Sequence, residues 1–252
     1  MVKEDWDPAA QELAKSRQVL IFDNRGIGES EGPEQWLRLE LYALDVVELA
    51  LHVGWKDVAI LGLSMGGMIV QTLLAIGDPR LRIHRVILVA TSPKTPDSTK
   101  MTEANKKLIA LSNDPNTTSE QLLEHAFHIL AISFTPEYVA HNEDKIYKIM
   151  ERSASGNRPP QTNLFQMRAV GRYNLVEVLP RLKAPPTLVL HGTEDQIVEY
   201  EKGVLIHKLL QGSRLISVEG CGHLIFDQRP ELLDDVNRFV EEGERDVGYA
   251  RL

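Results

Sequence analysis

Short, nearly continuous apolar runs alternate along the chain with longer stretches of helical periodicity. Turn residues bound each run, and such runs suit parallel strands that are buried on both faces of a sheet. The predicted strands are Gln18–Phe22, Val58–Leu61, Arg85–Val89, Thr187–Leu190 and Arg214–Val218. The predicted helices are Gln35–Val53, Gly67–Ile76, Glu201–Leu210 and Pro230–Glu242. This alternation predicts an α/β fold, with a mostly parallel sheet flanked by helices.

Residues 93–180 interrupt the alternation, because they contain no good strand pattern and are punctuated by prolines. Helical patterns cover Thr102–Leu111, Ser119–Ala131, Pro136–Ser153 and Thr162–Leu179. We therefore predict one core built from residues 1–92 and 181–252, with a helical insertion at 93–180 between the third and fourth predicted strands.

Composition narrows the possible classes of function. The 252 residues carry a formal net charge of −8 without a basic stripe, which argues against nucleic-acid binding. No apolar run reaches the length of a membrane span, and residues 1–7 lack the apolar core of a signal peptide. The single cysteine, Cys221, excludes an internal disulfide and favours a reducing or organellar interior.

The motif Gly62-Leu63-Ser64-Met65-Gly66 matches G-x-S-x-G. A strand pattern precedes it and a helical pattern follows, which is the context of a nucleophile elbow. The glycines two residues before and after Ser64 are expected to relieve crowding in a strained turn. Ser64 would then lie at a helix start, where the Met65 N–H can stabilise an oxyanion. The alternative is a glycine-rich bend with an idle serine.

A serine nucleophile needs a base, and the base needs an orienting acid. The strand at 187–190 leads into a loop with Glu194 and Asp195, and the strand at 214–218 leads into a loop with His223. Loops that follow parallel strands meet at one sheet edge, so these groups can converge. The chain order Ser64, Asp195, His223 matches the α/β-hydrolase triad.

Four segments resemble the α/β-hydrolase superfamily, specifically its single-domain type with a helical cap. They are FDNRGIGESEGP (22–33), GLSMGG (62–67), LVLHGTEDQIV (188–198) and GCGHLIFDQRPE (220–231). The resemblance implies the α/β-hydrolase fold, with Ser64 as nucleophile, Asp195 as acid and His223 as base. It also implies that residues 93–180 form a cap over the site and set the choice of substrate.

Several other residues compete for a role. Glu194 could replace Asp195 as the acid, and Asp97 follows a strand at a position that some relatives use. His125 and His128 lie one helical turn apart, but no cluster of further ligands accompanies them, so a cap surface is favoured over a metal site. Cys221 lacks an elbow and is interpreted as a small loop residue. Gly26-Ile27-Gly28 lacks the third glycine of a dinucleotide fingerprint, so we predict no cofactor and no metal.

The resemblance also indicates that the first strands of the family fold are absent. In the family three strands precede the FDNRG loop, and the third ends in a His-Gly loop that supplies the second oxyanion N–H. That third strand lies between the strands corresponding to Gln18–Phe22 and Val58–Leu61. We therefore expect a slot between these two segments, and the loss of one oxyanion donor, which typically costs about 100- to 1000-fold in turnover.

The C-terminal tripeptide Ala250-Arg251-Leu252 is a conservative variant of the peroxisomal Ser-Lys-Leu ending. It predicts import by a peroxisomal receptor, with the cytoplasm as the alternative location. Capped hydrolases with such an ending resemble some fungal enzymes of fatty-acid or toxin pathways, by analogy of fold.

The expected function is hydrolysis of an ester, thioester or lactone of a small apolar substrate. Apolar cap positions suit an acyl ligand, although most are expected to pack the cap's own core. They are Leu108, Leu122, Phe127, Phe134 and Phe165. The alternatives are a catalytically impaired or non-enzymatic binding protein and an acyltransferase that uses the same triad.

Overall fold

The computed structural model describes residues 1–32, 38–95, 107, 110–111, 114, 116–154, 156–157 and 159–246. Within this part of the chain, four parallel strands form one sheet in the order β1-β2-β3-β4. The strands are β1 (Asp57–Leu63), β2 (Arg82–Val89), β3 (Thr187–Gly192) and β4 (Arg214–Val218). The predicted α/β fold is confirmed, together with four of the predicted strands.

Helices surround the sheet and fill the insertion. Along the chain they are α1 (Asp7–Leu13), α2 (Leu39–His52), α3 (Met65–Ile76), α4 (Ser119–Ala131), α5 (Pro136–His141), α6 (Glu143–Ala154), α7 (Pro160–Val170), α8 (Tyr200–Leu209), α9 (Ile225–Gln228) and α10 (Leu232–Asp246). Two 3₁₀ turns, Lys3–Trp6 and Leu179–Arg181, complete the regular elements of the described residues. None of these helices combines the length and apolar character needed to cross a membrane.

The apolar side chains of β2 and β3 alternate between the two faces of the sheet, as pleated strands require. Val86, Leu88 and Val189 pack on one face with α3 and α8. Ile87 and Leu190 pack on the other face with α1 and α10. Both faces are therefore covered, which explains why these strands are nearly continuous apolar runs.

Gln18–Phe22 was predicted as a strand, and this prediction is wrong. The segment has no strand assignment, and among the described residues no backbone hydrogen bond joins it to β1. A cavity of about 270 Å³ lies between them, lined by Gln18–Phe22 on one side and Val58–Leu63 on the other. A segment becomes a strand only when its backbone N–H and C=O groups form hydrogen bonds with a neighbouring strand. Apolar composition alone therefore does not make Gln18–Phe22 a strand. The expected slot is present as this cavity.

The described part of the insertion is helical, and most of the predicted helix at Thr102–Leu111 lies outside the described residues. Two other predicted helices end earlier than expected. The pattern at Pro136–Ser153 breaks at Asn142, whose side chain donates to the Tyr138 carbonyl 3.0 Å away and ends α5. The pattern at Thr162–Leu179 ends at Gly171, well before its predicted limit. Two backbone bonds, Thr95 N to Tyr173 O at 2.9 Å and Leu175 N to Pro93 O at 2.8 Å, hold the two ends of the insertion side by side.

Candidate active site

Ser64 occupies a sharp turn between β1 and α3. Its backbone has φ 54° and ψ −121°, a left-handed conformation that costs a non-glycine residue strain energy. The turn is fixed from both sides, because Ser64 N donates to Val89 O at 2.9 Å and the Thr91 hydroxyl donates to Ser64 O at 2.7 Å. Ser64 is half-buried at the carboxyl end of the strand, as the elbow motif predicts.

The glycines around Ser64 differ in how closely other atoms approach the position that a Cβ would occupy. A Cβ on Gly62 would lie 2.4 Å from Gly66 O, so the turn requires glycine there. A Cβ on Gly67 would meet the Thr91 side chain at 2.5 Å. Gly66 has open space around its Cβ position, so the expectation that it relieves crowding is wrong. The crowding falls one residue later, where α3 packs against the segment that follows β2.

Met65 is the first residue of α3, and the first N–H groups of a helix have no acceptor within that helix. The dipole of α3 also places partial positive charge at this end. The Met65 N–H is therefore available to an anionic oxygen bound beside Ser64.

Asp195 and His223 form a buried pair. His223 Nδ1 lies 2.7 Å from Asp195 Oδ2, and both residues are less than 10% exposed. The other carboxylate oxygen, Oδ1, accepts from Ile197 N at 2.8 Å and Val198 N at 2.9 Å. A carboxylate can only accept, so Nδ1 carries the imidazole proton and Nε2 is left with a lone pair, as a general base requires.

The charge on Asp195 is stabilised by its surroundings. Burial alone would raise the pKa of this carboxyl, but the neighbouring His223 and the hydrogen bonds to the carboxylate hold it well below its usual range. His191 contributes to that stabilisation from within β3. Asp195 therefore remains an anion beside His223 throughout the neutral pH range.

The structure distinguishes between the two candidate acids of this loop. Asp195 contacts the imidazole, whereas the Glu194 side chain is exposed. Among the described residues, His223 forms its side-chain hydrogen bond with Asp195 and none with Ser64 Oγ, and contacts between a nucleophile and its base commonly tighten only when substrate binds. Asp97 lies outside the described residues.

The helical insertion contacts the histidine loop directly. Ser133 O accepts two backbone hydrogen bonds, from His223 N at 2.8 Å and from Leu224 N at 3.1 Å. Gly222 permits this approach, because a Cβ there would lie 2.6 Å from Ser133 O. On the other side, Gly222 N donates to Gln228 Oε1 at 2.9 Å. The position of His223 is thus fixed by the insertion as well as by β4.

A cavity of about 350 Å³ borders the elbow and the histidine loop, although Ser64, Asp195 and His223 do not themselves line it. Leu63, which precedes Ser64, and Leu224, which follows His223, both line it. Its wall also contains Trp6 and Phe226 and five carboxylates: Asp5, Glu12, Asp227, Glu231 and Asp234. Burial raises the pKa of Asp227, although Arg152 at 3.4 Å opposes the effect. The loops that carry the nucleophile and base candidates therefore border one cavity of mixed polarity.

The aromatic residues of the insertion mostly pack against their own neighbours. Phe134 is 1% exposed and forms a small core with Ile146 and Ile149, against which Phe127 packs. Phe165 is also buried. Leu108 and the side chain of Leu122 lie outside the described residues.

The other residues considered for catalytic, metal or cofactor roles have surroundings that indicate structural roles. Burial raises the pKa of Cys221 to about 12, so its thiol stays protonated and unreactive. His125 is buried, which corrects its assignment to a cap surface, whereas His128 is exposed. Gly28, at φ 59°, packs against the Asp23 carboxylate. Within the described residues, no three His, Cys, Asp or Glu side chains converge as a metal site.

Sequence reasoning missed two residues of the site, Thr91 and His191. Thr91 binds the Ser64 carbonyl from the segment that follows β2, and nothing in its neighbouring sequence indicates this role. His191 did carry a signal, because an imidazole interrupts the apolar run TLVLHG and is completely buried. A buried polar ring in a strand predicts a hydrogen-bond partner nearby.

Comparisons with known proteins agree on one family. A family model described as alpha/beta hydrolase fold matches residues 2–230. A non-heme chloroperoxidase from Streptomyces lividans is 24% identical over 94% of this chain and 87% of its own length. A pimeloyl-[acyl-carrier protein] methyl ester esterase from Nitrosospira multiformis is 27% identical, over 93% of this chain and 89% of its own. The solved esterase EaEST from Exiguobacterium antarcticum superposes with a TM-score of 0.78 at 22% identity, covering 95% of this chain and 88% of its own.

Proposed function

Because the chain belongs to the alpha/beta hydrolase fold family, we propose that it is a serine hydrolase that cleaves a carboxylic ester, thioester or lactone. The observation that carries the proposal is the buried Asp195–His223 pair, 2.7 Å apart, at the sheet edge where Ser64 sits on its strained turn. Relatives that are named esterase and hydrolase support a hydrolase in general terms. The triad assignment and the substrate class are our proposal.

In the proposed reaction, Ser64 Oγ attacks the substrate carbonyl carbon while His223 Nε2 takes the hydroxyl proton. The carbonyl oxygen becomes an anion that the Met65 N–H stabilises. Asp195 holds the imidazole and stabilises the imidazolium that forms. His223 then gives its proton to the leaving oxygen or sulfur as that bond breaks, which leaves an acyl group on Ser64. Water, deprotonated by His223, releases the acid and restores the enzyme.

We base the proposed substrate class on the cavity that borders the loops of Ser64 and His223. Leucine and aromatic side chains offer an apolar wall for an acyl chain. The five carboxylates of the same wall repel anionic groups, so we propose that the substrate is neutral or cationic there. Acyl transfer to an alcohol or amine would use the same residues and differs only in the group that accepts the acyl chain.

The proposal is tested with purified protein and short p-nitrophenyl esters. Ser64→Ala and His223→Ala should each abolish turnover, whereas Ser217→Ala, which changes an exposed serine on β4, should retain it. Full activity in Ser64→Ala would contradict the mechanism. A wild-type chain that folds but neither turns over esters nor reacts with a fluorophosphonate would favour the non-enzymatic alternative.

We also propose that Ala250-Arg251-Leu252 directs the protein to peroxisomes. The tripeptide lies outside the described residues, so its sequence alone supports this proposal. A pathway of fatty acids or toxins stays a prediction by analogy.

A further inference from the structure

His191 is a buried imidazole that the proposed mechanism does not use. It lies near the end of β3, is 0% exposed, and has a side chain that reaches the acid loop. Its Nε2 lies 2.9 Å from Val198 O and 3.4 Å from Asp195 Oδ2. One ring edge therefore contacts both the backbone of the loop and the carboxylate that orients His223.

The tautomer of His191 follows from these contacts. Both neighbours of Nε2 are acceptors, so this nitrogen carries the proton and shares it between them. Nδ1 is buried and has no hydrogen-bond partner among the described residues. It faces the backbone of α8, since a Cβ on Gly203 would lie 2.4 Å from it. A second proton on Nδ1 would be buried without an acceptor, which is costly.

The contacts of Val198 link His191 to both oxygens of the carboxylate. Val198 N donates to Asp195 Oδ1 at 2.9 Å, while Val198 O accepts from His191. His191 thus fixes the turn whose Val198 N–H binds Asp195 Oδ1. Its Nε2–H also competes with His223 for the other carboxylate oxygen, Oδ2. The titratable groups that face it are Asp195 and, across Oδ2, His223, with the Tyr200 ring of α8 edge-on at 6.1 Å.

We infer that His191 is a positioning residue, which fixes the acid loop through Val198 and limits the negative charge that Asp195 presents to His223. This inference rests on the proposed function, because it assigns His191 a task within the proposed triad. Without the His191 donor, Asp195 Oδ2 would hold the His223 imidazolium more strongly. The base would then release its proton at a higher pH, and the loop would orient it less well.

The experiment compares His191→Leu with His191→Gln. Leucine has a similar volume but no donor, whereas the glutamine amide can place an N–H near the position of Nε2. In His191→Leu, we expect kcat/KM for p-nitrophenyl acetate to fall about 10-fold, and the acid limb of its pH profile to move up by about half a pH unit. His191→Gln should return the acid limb to its wild-type position and restore kcat/KM to within about 3-fold.

His84→Leu is the matched control. His84 is also a largely buried imidazole, with Nδ1 2.8 Å from Asp57 Oδ1 and an Nε2 that has no hydrogen-bond partner among the described residues, but it lies on β2 at the opposite end of the sheet. Its loss should lower the melting temperature and leave the acid limb unmoved. An unmoved acid limb in His191→Leu, or a glutamine variant that behaves like the leucine variant, would overturn the inference. If His191→Leu does not fold, His191→Asn, whose shorter side chain cannot reach Val198 O, takes its place.

A second measurement separates this inference from the proposed function. In protein labelled with ¹⁵N-histidine, the resonance lost in His191→Gln should show the Nε2–H tautomer at pH 7. A proton on Nδ1 instead, or on both nitrogens, would contradict the assignment whether or not the protein hydrolyses esters. Ester turnover that survives Ser64→Ala would refute the proposed function and leave this spectroscopic result standing.

Discussion

Gly222→Ala should weaken both folding and turnover, because it places a methyl group between the histidine loop and the helical insertion. The new Cβ would lie 2.6 Å from Ser133 O and 3.0 Å from Phe134 Cα. Ordinary contacts of carbon begin near 3.4 Å, so the two segments must separate by about 0.8 Å. That separation strains the bonds from His223 N and Leu224 N to Ser133 O, now 2.8 and 3.1 Å long.

The expected magnitudes follow from these contacts. A buried backbone group that loses its partner costs about 1–3 kcal/mol, so the loss of both bonds would lower the free energy of unfolding by about 2–6 kcal/mol. His223 makes the shorter of the two bonds, so the imidazole moves with its backbone. A displacement near 1 Å in a catalytic group costs about 100-fold in rate. We therefore expect kcat to fall about 30- to 100-fold.

The assay is p-nitrophenyl acetate hydrolysis, at a temperature where urea unfolding shows more than about 95% of each variant to be folded. Gly171→Ala is the control, because Gly171 also belongs to the insertion but is exposed and has an ordinary φ of −62°. It should keep wild-type kcat and change stability only slightly, because its Cβ would lie 3.3 Å from Met167 O, against 2.6 Å from Ser133 O for Gly222. Wild-type kcat and an unchanged urea midpoint in Gly222→Ala would refute the idea that the insertion positions the base.

Three further predictions concern the acid, the cysteine and the tail. Asp195→Asn should lower kcat by about 1000-fold or more, because the amide no longer stabilises the imidazolium. Glu194→Gln should keep kcat within about 2-fold of wild type. If ester turnover depends on Glu194 more than on Asp195, Glu194 is the acid. Cys221, with its pKa raised to about 12 by burial, should resist iodoacetamide at pH 8 and react in urea, as mass spectrometry would record. Deletion of Ala250–Leu252 from an N-terminally tagged protein should move it from punctate organelles to the cytosol, and unchanged puncta would show that the tail is incidental.

The sequence was sufficient for the features that depend on local pattern. An apolar run between turn residues specifies a buried strand when a neighbour is available, and β1 to β4 each have one. The elbow was predictable because G-x-S-x-G encodes a strained turn within the five residues Gly62–Gly66. Gln18–Phe22 has the same pattern, but it lies across a cavity from β1 and has no ladder to join. Strand propensity depends on the segment alone, whereas a strand forms only when the segment can pair with a neighbouring strand.

The features that escaped prediction depend on contacts between distant residues. Gly67 is constrained by Thr91, and this contact exists only after α3 packs against the end of β2. The hydrogen bonds from the histidine loop to Ser133 O join residues about ninety positions apart. They involve backbone atoms only, so the types of side chain in the sequence do not indicate them. His191 was visible as a polar residue in an apolar run, but its partners in the acid loop required the folded turn at 195–198.

Site-mapped labelling with a fluorophosphonate shows whether Ser64 is the nucleophile. We expect a single covalent adduct on Ser64, located by peptide mass spectrometry, because among the described residues only this hydroxyl sits on a strained elbow at the sheet edge that holds the buried Asp–His pair. His223→Ala should slow the labelling by about 100-fold or more, since the hydroxyl loses its base. An adduct on another residue, or labelling of Ser64 at the same rate without His223, would contradict the proposed triad.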